Sequence, residues 1–97
     1  MIAIVKLVGR KPQIIDVENT LKELRNIVDG DIQTISLFNN IILICNDNGK
    51  LLNMQPNFSL GYDIIVGPTL FVSFDGKDDF TDLSEEQIEN ILRMFDE

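Results

Sequence analysis

The apolar positions of this chain fall into short blocks whose spacing changes along its length. Met1–Val8 is a near-continuous apolar run with β-branched residues, followed by the basic turn "GRKP" at Gly9–Pro12. Gln13–Val17 alternates loosely, so the two segments predict a strand pair. In "ENTLKELRNIVDG" the period changes: Leu21, Leu24, Ile27 and Val28 recur at helical spacing. Thr20 and Glu23 have the spacing of a capping box, and Gly30 supplies a left-handed stop, which predicts a short helix over 20–29.

Ile32–Leu37 and Ile41–Asn46 predict two more strands, joined at "FNN". The second opens with "IILIC", apolar at every position, as in a strand covered on both faces. Asn48-Gly49 is the dipeptide of a two-residue hairpin, which predicts that Ile41–Asp47 pairs with a short strand Lys50–Met54. Residues 55–61 read as an irregular connection. Asp63–Val66 and Leu70–Phe74 follow as strands broken by Gly67-Pro68, since proline cannot donate to a ladder. Ser84 and Gln87 form a second capping box, closed by the staple pair Leu83 and Ile88. Ile88, Ile91, Leu92 and Phe95 then make the apolar stripe of a last helix. The order β-β-α-β-β-(β)-β-β-α predicts one α+β domain over 1–97, a mostly antiparallel sheet with two helices packed on one face.

Length and composition add limits. Ninety-seven residues, 44% hydrophobic and 25% charged, suit one modest globular core. The longest apolar runs, Met1–Val5 and Ile41–Cys45, fall far short of the ~20 residues of a membrane helix. Lys6 interrupts the first run and no small-residue cleavage site follows, so no signal peptide is expected. One cysteine forms no internal disulfide, and a cytoplasmic setting is the expectation.

Charge is unevenly placed. Residues 1–74 carry seven acidic and six basic side chains, whereas 75–97 carry nine acidic and two basic. A net charge of −8 disfavours direct contact with nucleic acid or an anionic membrane and suits a basic protein partner. Asp82, Glu85 and Glu86 are also explained by the positive end of the last helix, and Glu89 by pairing with Arg93 four residues on. Asp75, Asp78 and Asp79 lack that explanation. The candidate partner surface is therefore Asp75, Asp78, Asp79, Asp82, Glu85, Glu86 and Glu89.

Catalytic chemistry is poorly supplied. Histidine is absent, and Cys45 stands without an adjacent base at the end of an apolar strand, where a small core residue is expected. No phosphate-binding glycine loop occurs, and neither "NDNGK" nor "DGKDDFTD" fits a calcium loop, leaving at most an adventitious cation at Asp75, Asp78 and Asp79. No enzyme activity, cofactor or resident metal is expected. The polar corner "CNDNGKLLNMQPN" reads first as a turn. Its alternative reading is a ligand rim in which Asn46, Lys50, Asn53 and Asn57 hold an anionic metabolite or nucleotide. A third reading is a homo-oligomer paired through a sheet edge near Gly67-Pro68.

"CNDNGKLLNMQPN" and "DIIVGPTLFVSFDG…DFTDLSEEQIENIL" resemble a family of small uncharacterised domains, the domain of unknown function 3846 type, found in phages, plasmids and Gram-positive bacteria. The matching residues are Cys45, Asn46, Gly49, Lys50, Leu51, Pro56, Asn57, Gly67, Pro68, Asp79, Phe80, Leu83, Glu86 and Gln87. "ENTLKELRNIVDG" looks like the family's first helix. The family often has an arginine after its Pro-Asn element, where this chain has Phe58. The resemblance implies no activity. It implies a mobile-element setting, in which small acidic proteins often block host defence proteins, as anti-CRISPR-type inhibitors do. Occlusion of a host protein is therefore the leading functional expectation, with a nucleic-acid-guided nuclease as one target class.

Overall fold

A computed structural model describes residues 1–96. The elements run β1 (Ile2–Lys6), β2 (Gln13–Asp16), α1 (Leu21–Val28), β3 (Ile32–Ser36), β4 (Ile41–Asn46) and β5 (Pro56–Leu60). They continue with β6 (Asp63–Val66), β7 (Thr69–Phe74), β8 (Phe80–Thr81) and α2 (Glu85–Met94). The main sheet has the order β2-β1-β7-β4-β3, antiparallel at every pairing, with β8 folded back on the end of β7. β5 and β6 form a separate two-stranded ribbon. The architecture is α+β, with the antiparallel sheet and two helices that the pattern predicts.

The helices, however, lie on opposite faces of the sheet. Alternation along β4 sends Ile42 and Ile44 to one side, where they pack with Leu70, Val72 and the α1 residues Leu24 and Val28. Ile41, Leu43 and Cys45 point to the other side, with Phe71, Ile65 of β6 and Ile91 of α2. Every residue of β4 is buried. A strand apolar at each position requires cover on both faces, so two helices on one face would have left half of "IILIC" in water.

The loops depart from expectation in a related way. Asn39 and Asn40 both take left-handed backbone (φ 54° and 57°), and this two-residue turn closes the β3–β4 hairpin. Asn48-Gly49 does not turn a hairpin. Neither side of β4 is free there, because β3 and β7 already flank it. Residues 48–54 instead coil through helix-like turns, with the Leu52 N–H donating to the Asn48 carbonyl at 2.9 Å. Lys50–Met54 is therefore not a strand, and the first ribbon strand lies at Pro56–Leu60, within the segment expected to be irregular. The left-handed residue ending α1 is Asp29 (φ 62°) rather than Gly30. Gly67-Pro68 links the ribbon to β7, the central strand of the main sheet, whose edges are β2 and β3; β6, which ends beside Gly67, keeps one open side in the two-stranded ribbon.

Candidate functional site

The sheet has two ends. At one, β7 finishes and runs into the turn 75–79, β8 and the start of α2. At the other, β1 ends at Lys6 beside Thr69, and α2 finishes near it, with the Lys6 ammonium 5.6 Å from the centre of the Phe95 ring.

The predicted acidic residues are brought together at the first end, with Glu89 one turn along α2. All seven are exposed. Three of their carboxylates are held by neutral donors. Asp75 accepts from the backbone N–H groups of Lys77 (2.7 Å) and Asp79 (3.3 Å), which holds its carboxyl below the usual range. Asp79 accepts from the Phe80 N–H (2.8 Å) and from the Asn19 amide (3.0 Å). Asp82 accepts from the Ile2 N–H at 2.7 Å, fastening the chain between β8 and α2 to β1. Ser84 and Gln87 exchange the two hydrogen bonds of a full capping box. Ion pairs among the described residues join Met1 to Asp16, Arg25 to Asp31 and Lys50 to Asp63, and none touches these seven carboxylates. The expected pairing of Glu89 with Arg93 does not form. Asp75, Asp78 and Asp79 do not converge as metal ligands, and no such cluster exists among the described residues.

The polar corner turns out to be largely structural. Asn46 is buried; its amide donates to the carbonyls of Val28 (3.0 Å) and Asp29 (3.1 Å), and its oxygen accepts from the Asn48 N–H (2.7 Å). It thereby satisfies the carbonyls left open at the end of α1. Asn57 donates to the carbonyls of Lys6 and Gly67, each at 2.8 Å, while its oxygen accepts from the Lys6 ammonium at 2.9 Å. That clasp ties the ribbon to β1. Lys50 is neutralised by Asp63, whose carboxyl the contact holds below its usual range. Asn53 sits in the loop with left-handed backbone (φ 56°).

Only Asn46 and Lys50 of these four line one cavity, of about 260 Å³, together with Cys45, Gln33 and Asp63. Burial, then the nearby Asp47 and Asp63, push the Cys45 thiol above its ordinary value, which suppresses thiolate. With its one cation paired, this cavity has no free charge for an anion. The predicted four-residue rim is not assembled.

The family described as "Domain of unknown function (DUF3846)" matches residues 1–96. The chain belongs to the DUF3846 family. No curated protein and no solved structure matches it. The residues that carry the likeness to DUF3846 have definite places in the fold. Asn46 and Asn57 are clasps, and Glu86 and Gln87 open α2. Gly67 has φ 75°, and a Cβ there would stand 2.5 Å from the Met54 sulfur. Sequence reasoning passed over one group: Lys6, read as an interruption of the first strand, with Arg10 and Lys11, read only as part of the "GRKP" turn.

Proposed function

We propose that this DUF3846 protein acts by binding another protein through its acidic end, without catalysis. The observation that carries the reading is a set of seven exposed carboxylates with which no lysine or arginine among the described residues forms an ion pair. Three of them, Asp75, Asp79 and Asp82, are fixed by N–H donors. Carboxylates fixed this way lose little further side-chain entropy on docking and keep their full charge for a basic partner. The lack of histidine and the suppressed thiol support contact over turnover. A mobile-element origin would make the partner a host protein, and obstruction of a defence nuclease's basic channel the use.

The test measures affinity for a host defence nuclease at several salt concentrations. Reversing Asp75, Asp78 and Asp79 to lysine should weaken binding at least about tenfold and flatten its salt dependence. Unchanged affinity and unchanged salt slope in the triple variant would reject the acidic end as the contact.

A further inference from the structure

The opposite end of the sheet has a different character. Lys6 is only 7% exposed, yet no carboxylate lies within ion-pair distance of it among the described residues. Its ammonium donates to two neutral oxygens, the Leu7 carbonyl (2.8 Å) and Asn57 Oδ1 (2.9 Å), which leaves its charge uncancelled. A buried cation without an anion is costly, and burial accordingly lowers its pKa. Beside it opens a cleft of about 680 Å³, lined by Lys6, Arg10, Lys11, Leu92, Phe95 and Asp96 along with Gly9 and Pro12. That volume is in the range of small-ligand sites. Among the described residues, three cations and one carboxylate line it, in a protein whose net charge is −8.

Phe95 and the oxygens of Leu7 and Asn57 offer Lys6 partial compensation, through the ring face and two hydrogen bonds. They do not account for Arg10 and Lys11 on the rim of the same cleft. An anion does. A phosphate monoester carries nearly two negative charges at neutral pH, matching the excess in the cleft, and arginine offers it paired donors. The apolar wall of Leu92 and Phe95 adds room for a flat, weakly polar body attached to that phosphate.

We propose that the cleft between the β1–β2 turn and the end of α2 binds a phosphate monoester of the nucleoside monophosphate class. Lys6 and Arg10 hold the phosphate, Lys11 strengthens the local field, and Leu92 with Phe95 faces the attached body. The site is separate from the acidic end, so either can fail without the other.

The test follows backbone amide resonances of the full chain while adenosine monophosphate, inorganic phosphate or adenosine is added at low salt. Saturable shifts confined to residues 6–12 and 92–96 are expected with the monophosphate. They should be several-fold weaker with inorganic phosphate and absent with adenosine. Arg10→Gln with Lys11→Gln, both exposed, should weaken binding at least about tenfold, the equivalent of one lost charge-assisted contact. Asp96→Asn should tighten it. Lys6→Met should abolish binding and also lower the thermal midpoint by removing the hydrogen bond to Asn57, whereas the exposed Arg10 and Lys11 changes leave that clasp intact. No saturation by about 10 mM, where even a millimolar site is nearly full, would overturn the proposal. So would equal response to adenosine, or indifference to the Arg10 and Lys11 changes.

Discussion

Asn46 shows how one side chain can look like a ligand-binding group and be spent entirely on the fold. It stands at the last position of β4, yet its three hydrogen bonds go to the end of α1 and to the following loop. Gly30 is part of the same arrangement: a Cβ there would lie 2.8 Å from the Asn46 amide nitrogen. Asn46→Ala should therefore cost about 2–3 kcal/mol in urea unfolding, since it strands buried carbonyls and an N–H. Asn46→Asp should cost more, because a carboxylate oxygen would then face the Val28 and Asp29 carbonyls at the negative end of a helix. At this scale the sequence was ambiguous for a physical reason. Asparagine offers both donors and an acceptor, and spacing alone does not reveal whether a ligand or the backbone uses them. Lys6 is the converse case, a residue that read as a polar interruption of a strand and proves to be a buried charge.

Elements were legible where their signals are local. The capping box of α2 was readable because Ser84 and Gln87 are three residues apart, and both of its hydrogen bonds form. The hairpin at "FNN" followed from its flanking strands. Asn48-Gly49 misled because a turn dipeptide specifies a bend, whereas the pairing partner of β4 is set by β7, far away in sequence. The placement of α1 and α2 on opposite faces was present in "IILIC" but needed the whole sheet to be read. Gln87 belongs to this scale too. Its amide leaves the capping box to donate to the Asn39 carbonyl and to Ser73 Oγ, both at 2.8 Å, joining α2 to the β3–β4 turn and to β7. Gln87→Ala should cost about 2–3 kcal/mol, and hydrogen exchange should quicken at residues 84–88 and 38–41 together. Exchange that quickens in the helix alone would show that the bridge carries no coupling.

Across the whole molecule, α2 runs from an end rich in carboxylates to an end where Lys6, Arg10 and Lys11 gather. The composition gave the excess of acid, but not this separation, which depends on β1 and β7 being antiparallel neighbours. The pH response should have two flanks. Asp63 and Asp75 have carboxyls held below 3.8, the first chiefly by Lys50 and the second chiefly by the Lys77 N–H. Their contribution is present above that value and lost as pH falls through the lowered folded one. The Met1 ammonium is raised above 8.0, chiefly by its hydrogen bond to Asp16, so its contribution is complete below 8.0 and lost as pH climbs through the folded value. Denaturation midpoints at pH 3, 6.5 and 9 should therefore peak at the middle value. Asp16→Asn should reduce the loss on the alkaline side only; an unaltered alkaline loss would show that this ammonium does not contribute.

The central position of β7 has a consequence for how the chain assembles as it is made. The β1–β2 and β3–β4 hairpins can each close as soon as their own residues exist, but no strand of one pairs with a strand of the other; within the sheet they are joined only across residues 69–74. During vectorial synthesis the first two thirds of the polypeptide can offer two ribbons with α1 packed on the second, but no continuous sheet, and each ribbon keeps an open edge. The keystone strand then arrives late and fuses them in one step, so any stall before it emerges prolongs the interval in which sticky edges are bare.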